Sequence, residues 1–163
     1  MNVIDLLEPS AICLGVETKD ADSIVIDLSD RLLKSGYVKE SFARATLERE
    51  KNFPTGLPLS GKYNAAIPHT DIEHVIKPAL AIATLKEPVY FMNMVSPEEP
   101  VAVHVIFLLA LDQPKSQVEM LQNLATILQN PQIVEALMEA KTYEEVYQLF
   151  GGSESGTNIS NIG

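Results

Sequence analysis

The chain has 163 residues, of which 46% are apolar and only 6% aromatic. A chain of this length buries roughly two-thirds of its unfolded surface, so we expect one domain with an aliphatic core. Twelve basic residues against twenty-two acidic ones give a formal charge of -10. This balance disfavours nucleic acid and anionic membranes as partners, because both require a basic surface.

Three features of the sequence bear on its location. The single cysteine, Cys13, has no partner for an internal disulfide, which suits a reducing compartment. The N-terminal segment lacks the basic stretch and apolar stretch of a secretory signal. The longest apolar run, Val101 to Leu111, contains His104 and is too short to span a bilayer. We therefore expect a soluble cytoplasmic protein that does not insert into a membrane.

Two helices are predicted in the first third of the chain. Apolar residues recur every fourth position from Ile24 to Leu32, which predicts a helix over residues 20–34 that ends at Gly36. A second helix is predicted over residues 39–51, which are rich in Glu, Ala, Leu and Arg. The segment Phe53-Pro54-Thr55-Gly56 then breaks the chain into a loop.

Short apolar runs in the middle of the chain predict strands. The runs cover residues 63–67, 79–85 and 101–111, and a weaker candidate covers 89–94 with a turn after it. The last of the three main runs is β-branched enough to be a strand that is buried on both faces.

The C-terminal third is predicted to be helical again. Ser116 is a candidate cap for its first helix, and Asn130-Pro131 ends that helix and opens the next. Thr142 and Glu145 have the spacing of a capping box before a third helix. We predict one domain over residues 1–150 and a flexible tail over 151–163. The expected fold class is an α/β (α+β) sandwich, with a mixed sheet of about four to five strands flanked by helices on both sides.

His69 is the histidine best placed for chemistry. It follows Pro68 where an apolar strand ends, so its side chain is predicted to project from the rim of the sheet. A neutral imidazole at such a position offers one nitrogen lone pair at pH 7 and can act as a nucleophile. The alternative interpretation is an ordinary loop histidine.

The other two histidines have plainer interpretations. His74 could join His69 and an acidic neighbour in a metal site, but the spacing differs from the helical H-E-x-x-H motif and a turn histidine is favoured. His104 lies within the longest apolar run, where a hydrogen-bonded buried histidine is favoured. Its alternative role is to approach His69 at the end of the strand and help to hold a phosphate.

Arg49 is a candidate anion-binding residue. It lies directly before the loop at Phe53, and a guanidinium binds a phosphoryl group through paired hydrogen bonds. The alternative is a solvated helix charge that pairs with Glu48 or Glu50. The frame of a nucleotide-binding phosphate loop does not occur, so ATP is not expected as a direct donor.

Three segments of the chain together resemble one protein family. They are Glu48-Arg49-Glu50 with Phe53-Pro54-Thr55-Gly56, then Ala66-Ile67-Pro68-His69, and then the strand 105–110 followed by an amphipathic helix. In this order they resemble the enzyme IIA family of the bacterial phosphoenolpyruvate-dependent sugar phosphotransferase system, in its fructose–mannitol–galactitol class. Residues 49–56 and 129–135 resemble the galactitol-like branch in particular.

The resemblance implies roles for particular residues. His69 would carry the phosphoryl group and Arg49 would bind it, with Thr55 and Thr70 as candidate hydrogen-bond donors. Fructose- and mannitol-like members usually have a second histidine where this chain has Gln117, and that departure fits the galactitol-like branch. The resemblance lends His104 no support, so that residue stays a secondary candidate.

The resemblance also implies an activity and partners. The chain would be a phosphotransferase component that accepts phosphate from phosphorylated HPr and passes it to a IIB component, which serves a membrane IIC component. It would need neither a metal nor an organic cofactor. The sugar is not identified, because specificity resides in the membrane component. The alternative function is a regulatory phospho-switch of the same fold, whose phosphorylation state another protein senses.

Overall fold

The computed structural model describes residues 2–154, which form a five-stranded mixed sheet between two layers of helices. The helices are α1 (Val3–Leu6), α2 (Ala21–Lys34), α3 (Phe42–Asn52), α4 (Pro114–Leu128), α5 (Pro131–Glu139) and α6 (Tyr143–Glu154), with a 3₁₀ turn at Ile72–His74. The strands are β1 (Leu7–Val16), β2 (Gly56–Leu57), β3 (Asn64–Ala66), β4 (Ala79–Met92) and β5 (Pro100–Ala110). Within this part of the chain, no helix is long and apolar enough to cross a membrane.

The sheet has the strand order β1-β4-β5-β3-β2. Strand β4 pairs with β1 in parallel and with β5 in antiparallel orientation. Strand β3 pairs in parallel with β5, and β2 pairs antiparallel with β3 at the edge. The predicted fold class, a mixed sheet of four to five strands flanked by helices on both sides, is therefore confirmed.

Successive side chains along the central strands point to opposite faces of the sheet, and each face has its own apolar core. In β4, Ala79, Ala81 and Ala83 face the layer formed by α2 and α3. Leu80 and Ile82 face the opposite layer, to which α1, α4, α5 and α6 contribute. Small side chains on one face allow close approach of the α2 layer, and the larger ones fill the space under the C-terminal helices.

The structure corrects several of the predicted boundaries. Strand β1 was not predicted, because Glu8, Pro9 and Ser10 interrupt its apolar pattern, and such residues are tolerated at the edge of a sheet. The two predicted strands at 79–85 and 89–94 are one strand, β4, with an irregular register between Thr84 and Val89.

Helix α4 begins earlier than predicted. Its N-cap is Gln113 and not Ser116, because Pro114 fixes a helical φ and needs no hydrogen-bond acceptor in the first turn. Helix α5 begins at Pro131 as predicted, and the predicted cap of α6 at Thr142 is confirmed. The Asn130 side chain accepts from Gln132 N–H at 3.0 Å, and the Thr142 hydroxyl accepts from the backbone of Glu145 at 3.2 Å.

Helix α6 continues to Glu154, four residues beyond the predicted domain boundary at 150. The remainder of the predicted tail, residues 155–163, lies outside the described residues.

The turn between β4 and β5 folds back onto the loop at residues 53–56. Met94 N–H donates to the Gly56 carbonyl at 2.8 Å, and Gly56 forms a bridge with Asn93. A Cβ added at Gly56 would lie 2.5 Å from the Met92 carbonyl oxygen, which is closer than real Cβ contacts allow. Position 56 therefore requires glycine because another backbone occupies the space of a side chain.

We expect Gly56→Ala to lower the free energy of unfolding by about 1–3 kcal/mol, the usual cost of overpacking against a backbone that cannot yield freely. Gly61→Ala is the matched control, because its Cβ would meet only the Pro131 ring, at 3.1 Å. Urea unfolding of both variants measures the difference. Equal stabilities for the two variants would show that the hairpin turn moves aside without cost.

Candidate functional site

The backbone around His69 is held from both sides. On one side, Ile67 N–H donates to the Thr55 carbonyl at 3.4 Å. On the other, Leu109 N–H donates to the Pro68 carbonyl at 3.1 Å, and His69 forms a parallel bridge with Leu109. Pro68 has no N–H to leave unpaired, so the chain can leave the ladder there without losing a hydrogen bond. The segment of residues 67–69 is therefore fixed where β3 ends.

The imidazole of His69 has a defined proton. Its Nδ1 lies 2.7 Å from the Ile67 carbonyl, and because a carbonyl only accepts, Nδ1–H must donate. Nε2 then keeps its lone pair. Burial and, to a smaller extent, the charge of Arg49 lower the pKa of His69, against the opposing effects of the Ile67 hydrogen bond and Asp71. At pH 7 the ring is neutral, with a nucleophilic nitrogen.

Arg49 lines a cleft beside the residue that follows His69. The cleft has a volume of about 390 Å³ and is open to solvent. Its walls come from α3 and from the segment after His69: Ala45, Glu48, Arg49, Asn52, Phe53, Thr70, Asp71 and His74. The guanidinium of Arg49 lies over the Phe53 ring, 5.1 Å from its centroid, and this contact orients it. An anion in this cleft would meet the charge of Arg49.

Gln117 lies at the same site, in the first turn of α4. Its Nε2 donates to the Thr70 carbonyl at 2.8 Å. Thr70 is itself buried and directly follows His69 in the chain. Gln117 therefore holds the backbone of the residue next to His69, while a histidine at this position would present an imidazole.

The structure gives Thr55 a different contact from the one expected. Both the N–H and the hydroxyl of Thr55 donate to the carboxylate of Glu50, each at 2.8 Å. Thr55 thus supports the site through Glu50 and not by a free hydroxyl. Sequence reasoning missed Glu50, which appeared only as a partner for Arg49. The signal that could have found it is an acidic residue in the last turn of a helix, a few positions before a Pro-Thr-Gly loop whose N–H groups a carboxylate can accept from.

The structure does not bring His104 to the site. His69 pairs with Leu109, and positions 104 to 109 of an extended strand are separated by about 16 Å. His104 lies at the register shift between β3 and β5, where its ring contacts Tyr63 at 4.9 Å between centroids. The expected hydrogen-bonded core histidine is also wrong, because its buried Nδ1 has no hydrogen-bond partner among the described residues.

His74 lies on the rim of the cleft and has a structural contact. Its Nδ1 lies 2.8 Å from the Ser41 hydroxyl at the start of α3, and its carbonyl accepts from Lys39 N–H at 2.9 Å. These contacts join the 3₁₀ turn to the segment before α3. Within residues 2–154, no three His, Cys, Asp or Glu side chains are grouped so that they could hold a metal ion.

We expect Gln117→Ala to slow phosphoryl acceptance only two- to tenfold, because one neutral hydrogen bond is worth about 0.5–1.5 kcal/mol. The rate of labelling by a phosphorylated donor protein measures the effect, with thermal melting as the check on folding. Gln117→His is the companion variant, since it places an imidazole at this position. A loss of a hundredfold in a folded Gln117→Ala protein would mean that the amide contacts the phosphoryl group itself.

Fold and site together define a protein whose one buried, neutral histidine lies near an arginine, where strand β3 of a mixed sheet ends. The chain matches, over residues 5–152, the family described as "Phosphoenolpyruvate-dependent sugar phosphotransferase system, EIIA 2". It therefore belongs to this family and is a phosphotransferase-system component of the IIA type.

Individual proteins with known names agree with this assignment. The chain is 29% identical over 124 residues to the galactitol-specific EIIA component of Escherichia coli K12, covering 76% of this chain and 81% of that protein. It is also 30% identical over 132 residues to the transcriptional regulator ManR of Bacillus subtilis, covering 79% of this chain but 18% of that protein.

Solved structures show the same fold. A putative PTS IIA (PtxA) from Streptococcus mutans superposes with a TM-score of 0.76 at 26% identity, covering 93% of this chain and 94% of that one. The IIA chain of the complex of enzyme IIA and phosphorylated enzyme IIB for mannitol from Escherichia coli gives a TM-score of 0.73 at 25% identity, covering 90% and 99%.

Proposed function

We propose that this chain is a phosphocarrier, which accepts a phosphoryl group from phosphorylated HPr on His69 Nε2 and passes it to a IIB component. One observation supports the proposal above the others. The Nδ1–H of His69 is bound to the Ile67 carbonyl, so the nucleophilic nitrogen is Nε2, in a ring that is neutral at pH 7. The cleft with Arg49 beside it supplies a cation for the phosphoryl oxygens.

The transfer would proceed in two displacements. In the first, the Nε2 lone pair of His69 forms a bond to phosphorus while the phosphorus–nitrogen bond of the donor phosphohistidine breaks. The electron pair of the broken bond returns to the donor ring. In the second, a cysteine or histidine of the IIB component attacks phosphorus and the bond to Nε2 breaks. Both steps pass through a loose transition state, so alignment and charge neutralisation are the protein's main contributions.

Several groups of this chain would assist the two steps. Arg49 would neutralise the charge on the transferring oxygens, and Thr70 would contribute through its backbone and hydroxyl close to the nucleophile. The Nδ1–H hydrogen bond would keep the ring oriented in both the free and the phosphorylated state. Each step leaves the proton of His69 on Nδ1, and in the second step a IIB cysteine would attack as its thiolate or a IIB histidine as its neutral ring.

A sugar alcohol of the galactitol type is the proposed cargo of the transport system as a whole. The similarity to a galactitol-specific EIIA component supports this choice. The sugar would bind to the membrane IIC component, and this chain would act in the cytoplasm without contacting it.

A regulatory role is the second candidate. The similarity to a transcriptional regulator over 79% of this chain supports it. In that case His69 would still be phosphorylated, but the phosphorylated state would change an interaction with another protein and would not be passed to a IIB component.

Phosphoryl transfer with purified components tests the proposal. The protein is incubated with radiolabelled phospho-HPr, and the label is expected on the chain as an acid-labile, base-stable phosphate on one histidine. A galactitol-type IIB component is then added, and loss of the label to IIB is expected. Label that is accepted but not passed to any IIB component would favour the regulatory role, and failure to accept label would refute both.

A further inference from the structure

Glu50 has a local arrangement that the transfer steps above do not use. It lies near the end of α3, directly after Arg49, and it is half-buried. One oxygen, Oε2, accepts from Thr55 N–H at 2.8 Å, and the other, Oε1, accepts from the Thr55 hydroxyl at 2.8 Å. A single carboxylate thus takes both donors of one loop residue, and an ionised carboxylate is the form that accepts twice.

The same loop residue connects Glu50 to the nucleophile. The Thr55 carbonyl accepts from Ile67 N–H at 3.4 Å, and the Ile67 carbonyl accepts from His69 Nδ1–H at 2.7 Å. Four residues are therefore joined in sequence by hydrogen bonds, from the half-buried carboxylate of Glu50 to the ring that would carry phosphate. Thr55 and Ile67 are both buried, so water does not compete freely for these bonds.

From this arrangement we infer that Glu50 is a positioning residue for phosphoryl transfer, which holds the His69 imidazole in its reactive tautomer and orientation through Thr55 and Ile67. The expected effect of Glu50 on the rate of phosphoryl transfer rests on the proposed function. Its expected effect on the tautomer and orientation of the His69 ring does not. In its ionised form Glu50 accepts both Thr55 donors and fixes the loop. A proton on Glu50 leaves only one strong acceptor oxygen for these donors, so the loop and the Ile67 backbone are held less firmly.

The ionisation of Glu50 falls in the physiological range. Burial raises the pKa of Glu50 to about 7, against the hydrogen bonds from Thr55 and the charge of Arg49, while the charge of Asp22 on α2 adds to the increase. The carboxylate is therefore ionised at pH 8 and largely protonated at pH 6. Since burial lowers the pKa of His69, that ring remains mostly neutral in the upper part of this range.

The test compares phosphoryl acceptance by the parent and by Glu50→Gln between pH 6 and pH 8, with the same phospho-HPr donor throughout. A glutamine resembles the protonated carboxyl at every pH. The ratio of the parent rate to the variant rate is therefore expected to be about tenfold at pH 8, on the scale of one hydrogen bond to a charged group, and to approach one at pH 6. The ratio cancels the titration of the donor.

Two further comparisons separate positioning from folding. Glu135→Gln removes an exposed carboxylate from α5 and is expected to give a ratio near one at every pH. Thr55→Ser keeps both donors and is expected to accept phosphate several times faster than Thr55→Val, which loses the hydroxyl. Thermal melting of each variant checks that the fold is intact.

A spectroscopic measurement tests the inference without any transfer reaction. Long-range ¹H–¹⁵N spectra at pH 8 are expected to show the proton of His69 on Nδ1 in the parent, and a mixture of the two tautomers in Glu50→Gln. Identical tautomers in the two proteins, together with a rate ratio that is constant with pH, would overturn the inference. A parent that accepts no phosphate would refute the proposed function alone, and the tautomer comparison would then decide the inference by itself.

Discussion

Replacing His69 by alanine is expected to abolish phosphoryl acceptance, with a fall of at least about a thousandfold in rate, the scale expected when a nucleophile is removed. The side chain is 5% exposed, and its Nδ1–H is bound to the Ile67 carbonyl. No neighbouring group described at this site can replace Nε2 as the atom that bonds to phosphorus. Radiolabel transferred from phospho-HPr, measured on the purified variant, gives the rate.

His74→Ala is the matched control for the loss of His69. It removes a second imidazole from the same region, but one whose Nδ1 is bound by Ser41. We expect this variant to keep most of its acceptance, and the two variants to differ by at least a hundredfold if the folds are equally stable. Label that persists on His69→Ala, or a loss of equal size in His74→Ala, would contradict the assignment of the nucleophile.

Arg49→Lys is expected to reduce phosphoryl acceptance about a hundredfold, the scale for losing one well-placed donor to a developing charge. Lysine keeps the positive charge but loses the planar pair of N–H donors that matches phosphoryl oxygens. The stability should change little, because the replaced contact is a cation–π contact to Phe53, a residue that is 64% exposed. Such exposed contacts are worth about 0.5–1 kcal/mol.

Arg44→Lys is the control for Arg49, since Arg44 lies on the same helix with an exposed side chain. We expect it to transfer at the parent rate. Single-turnover labelling separates the transfer step from binding of the donor, and thermal melting measures stability. If Arg49→Lys transfers as fast as Arg44→Lys, the guanidinium plays no part in the transfer.

Local sequence patterns were sufficient to predict most of the helices and the central strands. Ile24 and Leu28, which are four positions apart, are buried positions of α2. The continuous apolar run that begins at Val101 corresponds to β5. Such patterns report burial within one element, which depends only on nearby residues. Strand β1 carries no such pattern around Pro9, because an edge strand is only partly buried and tolerates polar residues.

Which residues meet at the site depends on contacts between distant parts of the chain, and local sequence patterns do not contain that information. Pro68 marks the end of a strand, so the position of His69 at that end could be predicted from the sequence. Glu50 becomes a double acceptor only because the chain turns back and presents both donors of Thr55. The distance of His104 from the site follows from the register of β3 on β5, which one sequence cannot supply.

The hydrogen bonds on either side of residues 67–69 also have a consequence for the two partners that we propose. A nucleophile whose backbone is already ordered loses little conformational entropy when a partner binds, so the adjustment to each partner must occur elsewhere. Phe53, which ends the helix of Arg49, is 64% exposed, and Val118, which follows Gln117 in α4, is 55% exposed. Both side chains lie largely on the surface, and we expect these two positions, rather than the histidine, to differ most in mobility between the free chain and its complexes.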